Sequence, residues 1–453
     1  MVSLESSSFG SILKKILIIG AGWAGLSAAV EATRRGAKVT LVEAKSELGG
    51  RARSVQLGGL TLDNGQHIMI GAYRATLELM ASVGLNPESL LLRCRLSLLD
   101  NKGNGFSLKG PAWLPPSVQF LLGILNCSHW SLKDKSSLIG LAIKWTLQGF
   151  RCESKSSVKD ICKGATDTVM ESLLLPLCLC AFNTPIEMTS GRVFLRVLKD
   201  AMFTVSGGSD FLIPRCDLGE LFPQSCERWL LQMGCEIHKN TRIKSLSSLS
   251  ILGDLSDKPD AVIVACDPTN AARLTADINP QWADSANRIE YTQIATTYLR
   301  CNAPSFESLG APVLMLQSDS TNLGHVQAPA QFVFDRGFLF KGSINVEQAQ
   351  LNRRILSFVS SYATLSNDQT ASAVLEQARI ELGLSHLEHL GTITERRATF
   401  CCTPELLRPS IQVSERIWAC GDFTDGPYPS TLEGAVLSGM RAVKEAFQTL
   451  EMN

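Results

Sequence analysis

The sequence has no excess of charge of either sign. It holds 43 Lys and Arg residues against 43 Asp and Glu residues in a chain of 453, so its formal net charge is zero. Proteins that bind nucleic acids usually carry a basic surface and a high isoelectric point. The balanced composition therefore removes the electrostatic argument for a nucleic-acid partner, and we predict none.

Paired metal-ligating cysteines are also absent. The 14 cysteines fall at irregular intervals without a Cys-x-x-Cys pair; Cys178 and Cys180 lie in an apolar run, and Cys401 and Cys402 are adjacent. Structural zinc sites need ligands that are paired at short spacing. We therefore predict no metal site, and interpret the cysteines as reduced thiols that pack as small apolar side chains in an intracellular protein.

Long hydrophobic runs are missing as well. No uninterrupted apolar stretch approaches the ~18–20 residues that span a bilayer. Residues 1–14 lack the basic segment and apolar stretch of a signal peptide, so we predict a disordered lead there. The expected location is the cytoplasm, and a peripheral contact with the inner face of the plasma membrane stays open.

A glycine motif follows the first buried strand that the sequence predicts. The apolar run at residues 16–19 leads into Gly20-x-Gly22-x-x-Gly25, and a helix begins there. Such glycines permit a tight turn, a close approach to a pyrophosphate and close helix–strand packing, and the helix N-terminus holds the phosphates. Glu43 ends the next strand, where a carboxylate binds ribose hydroxyls and would repel a 2′-phosphate. The sequence therefore predicts a dinucleotide site.

Two further motifs indicate that the dinucleotide is FAD. Gly49-Gly50-Arg51 forms a second small-residue turn that passes the pyrophosphate, and the arginine supplies positive charge. Near the C-terminus, a strand ends in Gly421-Asp422, where a carboxylate accepts hydrogen bonds from a ribityl chain. The helix after residue 431 would direct its N-terminus at the flavin ring. We therefore predict FAD contacts from Gly20, Gly22, Trp23, Ala24, Gly25, Glu43, Ala44, Gly49, Gly50, Arg51, Gly421, Asp422, Thr431 and Leu432.

The same C-terminal segment contains a pattern for starting a helix. Ser430 and Glu433 have the spacing of a capping box, in which each side chain bonds the other residue's backbone N–H. We therefore predict that Glu433 serves the start of this helix and takes no part in catalysis.

The order of predicted elements indicates an α/β protein with two interleaved domains. Residues 15–90, 204–275 and 410–453 are assigned to a Rossmann-like FAD-binding domain. Residues 91–203 and 276–409 are assigned to an α+β substrate-binding domain, in which the mostly helical stretch 111–203 forms an apolar tunnel. Strands are predicted at residues 236–246, 261–265, 297–300, 313–317, 331–334 and 416–420, with long helical patterns between 340 and 416.

The three FAD motifs resemble the two-domain flavin fold of amine oxidases and phytoene-type desaturases. Residues 240–243 resemble the strand that contacts the adenine side in that superfamily, which adds Ile243 to the predicted FAD contacts. Within the superfamily, the sequence is similar to the squalene-associated FAD-dependent desaturases, the hydroxysqualene dehydroxylases, from about Lys15 to Ala446. This closer similarity rests on residues 62–67, 71–74, 176–178, 183–185, 193–195, 197–198, 210–215, 221–223 and 395–400.

The resemblance implies that hydroxysqualene, an apolar C30 isoprenoid, is reduced to squalene in squalene or hopanoid biosynthesis. An acid would help the allylic hydroxyl to leave, and a dry pocket would protect the resulting cation. His67 and Asp63 are the implied catalytic candidates near the flavin, with Gln66 as an orienting amide. The sequence shows no second dinucleotide fingerprint, so the expected electron source is NAD(P)H bound elsewhere or a partner reductase.

Several alternatives stay open at this point. A carotenoid desaturase would oxidise a polyene with the same flavin machinery, and an amine oxidase would oxidise an amine. A prenyl-binding carrier like the Rab GDP-dissociation inhibitors would need no flavin, but the intact Glu43, Arg51 and Asp422 argue against it. The apolar residues 114, 118, 120–122 and 124–125 form either a stripe for entry from a membrane or ordinary core.

Overall fold

A computed structural model describes residues 13–108, 111, 113–246, 258–317, 328–341 and 345–452. Of the lead predicted at residues 1–14, residues 1–12 lie outside the described part of the chain. Leu13 and Lys14 directly precede the first strand.

A six-stranded sheet forms the base of the molecule. Five of its strands are parallel and one edge strand is antiparallel. In spatial order the strands are Glu236–His238, Lys38–Val42, Lys15–Ile19, Ala261–Val264, Ile417–Ala419 and Gln412–Ser414. Residues 16–19 are almost completely buried, because a parallel strand is covered on both faces and so requires a continuous apolar run. The sheet thus draws its strands from three separated pieces of chain.

Two helices cover this sheet and touch one another closely. They are Trp23–Arg34 and the C-terminal Leu432–Met452. A Cβ atom on Gly439 would lie 2.3 Å from the carbonyl oxygen of Ala24, so only glycine permits this approach. Ser27 Oγ adds a hydrogen bond to the carbonyl oxygen of Val436 at 2.9 Å. The first and last long helices of the chain are therefore packed together beneath the first glycine motif.

A five-stranded antiparallel sheet forms a second layer. Its strands, in spatial order, are Val313–Met315, Phe332–Asp335, Ile355–Ser361, Tyr291–Cys301 and Leu387–Phe400. The prediction of long helical patterns between 340 and 416 was wrong for two of these strands, Ile355–Ser361 and Leu387–Phe400. Leu387–Phe400 is largely polar and half-exposed, so it lacks the apolar run by which a buried strand is recognised. It is held by pairing with Tyr291–Cys301 instead.

Three smaller sheets and several helices join the two layers. The small sheets are Met69–Ile70 with Phe211–Pro214 and Leu91–Cys94, Ser54–Leu57 with Leu60–Asp63, and Ser97–Leu99 with Gly105–Ser107. The helices are Arg74–Ser82, Pro87–Leu90, Leu218–Leu221, Pro223–Gln232, Pro268–Thr275, Pro280–Asn287, Arg336–Phe340, Val346–Leu351 and Asn367–Leu382. Because Leu91–Cys94 pairs with Phe211–Pro214, the domain boundary predicted after residue 90 separates two strands of one sheet.

The stretch predicted as helical, residues 111–203, contains the expected helices. They are Pro116–Leu125, Leu132–Leu147, Val158–Ile161, Asp167–Val169, Leu175–Phe182 and Gly191–Lys199, with π-helical turns at Met170–Leu174 and Asp200–Thr204. The predicted boundary between residues 203 and 204 falls inside the second π-helical turn. Single π-helical turns are rare and are frequently found at functional sites.

The apolar stripe on Pro116–Leu125 is divided between core and surface. Phe120 and Ile124 are buried, whereas Val118, Leu121 and Leu125 are 38%, 40% and 50% exposed. The stripe is therefore neither wholly core nor wholly surface. No helix in the described ranges is both long enough and apolar enough to cross a bilayer.

Candidate active site

A cavity of about 630 Å³ opens at the carboxyl ends of the parallel strands. Gly20, Glu43, Ala265 and Gly421, which line it, each follow one of four neighbouring strands. Open α/β sheets bind their ligands at this edge, because the strands end there and the following helices begin there. The cavity continues from this edge towards the helical stretch and the antiparallel sheet.

The first glycine motif shapes one wall of the cavity. Gly20 has a φ of +108°, and a Cβ atom there would lie 2.5 Å from the carbonyl oxygen of Ala265. A Cβ atom on Gly25 would lie 1.9 Å from the carbonyl oxygen of Gly20. Gly25 is therefore needed for packing, and the structure does not place it among the residues lining the cavity. Gly22, Trp23 and Ala24 do line it.

The second glycine turn approaches the first. Gly22 and Gly49 form an isolated bridge, and a Cβ atom on Gly50 would lie 3.0 Å from the Cα atom of Gly22. Gly49 and Gly50 both have positive φ angles, +107° and +66°. The two turns thus form one cradle of bare backbone at the start of the helix Trp23–Arg34, suited to a pyrophosphate.

Glu43 is fixed at the cavity edge by the backbone around it. Its carboxylate accepts hydrogen bonds from the N–H groups of Ala21 at 2.8 Å and Lys45 at 2.9 Å. Glu43 and Ala44 both line the cavity. A carboxylate held in this way has lone pairs left for the hydroxyls of a ribose.

Ile243 lines the same end of the cavity, but not as part of a strand. The predicted strand at residues 236–246 ends at His238. Beyond it, the Thr241 N–H bonds the carbonyl oxygen of Glu43 at 2.9 Å, and the Arg273 guanidinium bonds the carbonyl oxygen of Ile243 at 3.1 Å. The strand prediction for residues 240–243 was wrong because the backbone leaves the extended conformation at Asn240, where φ is +56°.

Arg51 and Asp422 meet across the middle of the cavity. Arg51 Nη2 forms an ion pair with Asp422 Oδ1, and Ser430 Oγ donates to Asp422 Oδ2. Arg51 Nη1 also donates to the carbonyl oxygen of Ala398 at 2.7 Å. The structure thus joins residues that are 371 positions apart in the sequence. The Asp422 carboxylate is buried and the Arg51 guanidinium is half-buried, and both lie in the cavity wall.

The C-terminal helix begins at the cavity, and Thr431 and Leu432 line it. The predicted capping box is wrong, since Ser430 is engaged by Asp422 and Thr431 Oγ1 accepts from the Gly434 N–H at 3.0 Å instead. The Glu433 carboxylate accepts from the N–H groups of Ala75 and Thr76 at 3.0 and 2.9 Å. It therefore caps a neighbouring helix, Arg74–Ser82, and burial raises its pKa.

His67 and Gln66 both line the cavity. Burial lowers the pKa of His67, which favours the neutral imidazole at physiological pH. Its Nδ1 atom lies 2.9 Å from the carbonyl oxygen of Gly65, so Nδ1 carries the proton and Nε2 is left as an acceptor. The amide nitrogen of Gln66 is buried.

Asp63 is placed elsewhere, which corrects its selection as a catalytic candidate. Its side chain is 5% exposed, is absent from the cavity lining and forms an ion pair with Arg336 at 2.8 Å. The other carboxylate oxygen accepts from the Leu218 N–H at 2.8 Å. Both carboxylate oxygens of Asp63 are thus bonded in the core, away from the cavity lining. Asp63 therefore has a structural role and does not contact a substrate in the cavity.

Three cavity tyrosines were not selected from the sequence as site residues. Burial raises the pKa of Tyr428 to about 12, and it raises the pKa values of Tyr73 and Tyr291 further. All three therefore keep their protons and can donate hydrogen bonds. Tyr428 donates to Asp200 at 2.7 Å. The sequence signal that could have indicated Tyr428 is its position three residues before Thr431, a predicted FAD contact.

Away from the dinucleotide end, apolar side chains dominate the cavity wall. They come from the helical stretch, from the five-stranded antiparallel sheet and, for Phe211, from the small three-stranded sheet. The larger ones are Leu177, Phe182, Phe194, Leu198, Phe211, Phe332 and Phe334. The cavity thus combines a polar end built for a dinucleotide with a long end suited to a hydrocarbon.

Comparison with known proteins decides the family. The flavin containing amine oxidoreductases match residues 23–446. The chain belongs to this family. It is 26% identical to a hydroxysqualene dehydroxylase of Rhodopseudomonas palustris over 95% of this chain and 97% of that protein. It is 24% identical to another of Sinorhizobium fredii, over 95% and 97%.

A more distant relative of the flavoprotein is a zeta-carotene desaturase of Zea mays, 23% identical over 94% of this chain and 82% of that protein. Among solved structures, an oxidoreductase of Methanosarcina mazei superposes with a TM-score of 0.67 at 16% identity, covering 95% of this chain and all of the other. The α/β fold with its FAD-binding sheet, expected from the sequence, is confirmed.

The flavoprotein is an FAD-dependent oxidoreductase. Its residues fit FAD: the glycine cradle leaves room for a pyrophosphate, Glu43 suits a ribose, and Asp422 suits a ribityl chain. Gln66 adds a buried side-chain amide to the lining. Bound FAD supplies hydride chemistry, and the protein supplies orientation and exclusion of water.

Proposed function

We propose that this oxidoreductase reduces hydroxysqualene to squalene. The observation that carries the proposal is the composition of the cavity lining, in which many apolar side chains join the predicted FAD contacts. A C30 isoprenoid with one hydroxyl fits such a wall, because its hydrocarbon is desolvated while a few polar groups near the flavin meet the hydroxyl. The full-length similarity to hydroxysqualene dehydroxylases supports the same substrate.

The proposed single turnover balances with reduced FAD as its one co-reactant. The C–O bond of hydroxysqualene breaks, a C–H bond forms at the same carbon, and the hydroxyl leaves as water. Reduced FAD, when bound, supplies the hydride and the proton and is left oxidised. The apolar side chains of the cavity would keep bulk water from an allylic cation, and His67 and the cavity tyrosines offer hydrogen-bonding groups to the hydroxyl. The electrons come from NAD(P)H or a partner reductase.

A zeta-carotene desaturase is the second candidate, because such an enzyme matches most of the chain. The two functions move electrons in opposite directions: a desaturase reduces oxidised flavin, whereas a dehydroxylase reoxidises reduced flavin.

The direction of electron flow separates the candidates in one experiment. Under anaerobic conditions we expect hydroxysqualene to reoxidise the photoreduced protein, while zeta-carotene and primary amines leave the oxidised protein unreduced. Flavin absorbance near its visible maxima would be followed for all three compounds, with squalene as an inert control of the same size. Bleaching by zeta-carotene would transfer the assignment to the desaturase, and bleaching by an amine would transfer it to an amine oxidase.

We further propose that the protein takes its substrate from an anionic membrane surface. Trp113 is 80% exposed, and Leu121 and Leu125 on the helix Pro116–Leu125 are also exposed. The Lys135 Nζ donates a hydrogen bond to the carbonyl oxygen of Leu125 at 2.9 Å. Exposed apolar side chains with adjacent lysines are the pattern of interfacial helices.

Replacing the two leucines tests this surface. Leu121→Asp/Leu125→Asp should abolish co-sedimentation with phosphatidylglycerol vesicles, because it adds two negative charges and removes apolar area. The control is Leu407→Asp, which changes another strongly exposed leucine and should leave sedimentation unchanged. Equal sedimentation of the double variant and the unaltered protein would reject this surface as the membrane contact.

A further inference from the structure

Arg408, which lies outside the cavity lining, binds the backbone of the loop at residues 422–428. The Arg408 guanidinium donates to five carbonyl oxygens of that loop. They belong to Asp422 at 2.6 Å, Phe423 at 3.3 Å, Thr424, Gly426 at 2.9 Å and Tyr428 at 2.7 Å. All three guanidinium nitrogens take part, so its donors are directed almost entirely at one short loop.

The environment of this guanidinium is unusual for a buried charge. Burial lowers the pKa of Arg408, and no ion pair joins it to a carboxylate in the described part of the chain. It lies against the Phe400 ring at 4.8 Å. A buried cation is costly unless its donors are matched, and here backbone dipoles match them. The planar, five-donor fork of arginine is what allows one side chain to do this, and lysine cannot reproduce it.

The loop joins the strand Ile417–Ala419 to the helix Leu432–Met452, and both of its ends serve the cavity. Asp422 and Tyr428 line the cavity, and each presents its own carbonyl oxygen to Arg408. Within the loop, the Thr424 N–H bonds the carbonyl oxygen of Gly421 at 3.2 Å, and the Asp425 N–H bonds that of Pro409 at 2.8 Å. Most of the carbonyl groups of the loop are therefore satisfied by one side chain.

We propose that Arg408 is a positioning residue that builds this loop before FAD binds, and thereby sets the Asp422 carboxylate for the cofactor. Pre-organisation of this kind raises affinity because the loop need not be ordered at the moment of binding. The inference goes beyond the proposed reaction and holds whichever isoprenoid is the substrate.

The test compares Arg408→Lys with the unaltered protein in the absence of any substrate. The variant keeps the positive charge but loses the fork, so we expect at least a tenfold rise in the Kd for FAD, measured by titrating apoprotein and following flavin fluorescence. Hydrogen exchange at residues 421–428 of the apoprotein should also become faster. Arg300→Lys is the matched control, since Arg300 forms a partly exposed ion pair with Glu388 on the antiparallel sheet, and its Kd should not change.

A purely structural role would give a different pattern. Arg408→Lys would then lower the unfolding temperature while the Kd for FAD and the loop exchange stayed unchanged, and this result would overturn the proposal. The unaltered apoprotein gives an independent check if the variant fails to fold. The Thr424 and Asp425 amides should be protected from exchange without FAD, and rapid exchange there would also overturn it. Neither measurement depends on hydroxysqualene being the substrate.

Discussion

Gly22→Glu should leave a folded protein that has lost its FAD. Gly22 precedes the helix Trp23–Arg34 and faces the second glycine turn. A carboxylate there would occupy the space of the pyrophosphate and would neutralise the favourable field of the helix N-terminus. We expect the Kd for FAD to rise by at least about 100-fold, which corresponds to about 3 kcal/mol. Titration of the apoprotein with FAD measures this directly.

The structure supplies a matched control at the same position. A Cβ atom on Gly22 would lie 3.8 Å from the Cα atom of Gly50, an ordinary van der Waals distance. The backbone of Gly22 is extended, with a φ of −72°, so alanine is not strained. Gly22→Ala should therefore bind FAD within about tenfold of the unaltered protein, and retention of stoichiometric FAD by Gly22→Glu would contradict the placement of the pyrophosphate.

Among the variants described, Arg336→Met should cause the largest decrease in the free energy of unfolding. The side chain is 1% exposed and bonds three groups: Asp63 and Asp217, both at 2.8 Å, and the amide oxygen of Asn352 at 2.6 Å. Removing one partner of a buried ion pair leaves an uncompensated charge, which costs about 3–5 kcal/mol. Here two buried carboxylates would lose their common cation. Urea unfolding of the apoprotein at pH 8 measures the change in the free energy of unfolding.

The same variant should show a characteristic pH dependence. Burial raises the pKa of Asp217, and Arg336 opposes that rise. Without the arginine, the folded-state pKa of Asp217 rises further above its unfolded value. The folded state then binds more protons, so the stability of the variant relative to the unaltered protein improves as the pH falls.

We therefore expect a smaller loss at pH 5 than at pH 8. Arg300→Met removes a partly exposed ion pair with Glu388 and should cost less than about 1 kcal/mol at either pH. A loss for Arg336→Met that did not depend on pH would show that the two carboxylates are not what the arginine neutralises.

The cofactor end of the site could be predicted from the sequence because local rules determine it. A glycine turn that lies between a buried strand and a helix is typical of a dinucleotide site when an acidic residue ends the next strand. Gly22, Glu43, Arg51 and Asp422 accordingly all line one cavity. The helical stretch 111–203 was predictable for a similar reason, since its helices carry long apolar runs.

The remaining features depend on contacts between distant parts of the chain. Asp63 looks like a cavity residue in the sequence, because it is three residues from Gln66. Its partner Arg336 lies 273 positions away, and only the folded structure shows that this pair is buried. The partners of Glu433, the N–H groups of Ala75 and Thr76, are equally remote in the sequence. The local spacing of Ser430 and Glu433 therefore led to the incorrect prediction of a capping box. Pairing across the antiparallel sheet likewise determines the polar strand Leu387–Phe400.

The most direct test of the proposed function is a single-turnover reaction with product analysis. Purified protein is photoreduced without oxygen, mixed with hydroxysqualene in excess over the flavin, and extracted with organic solvent. We predict one squalene formed for each flavin reoxidised, with no product from the oxidised protein. Reduced flavin that persists beside unchanged hydroxysqualene would contradict the proposed reaction, although the family and the FAD site would stand.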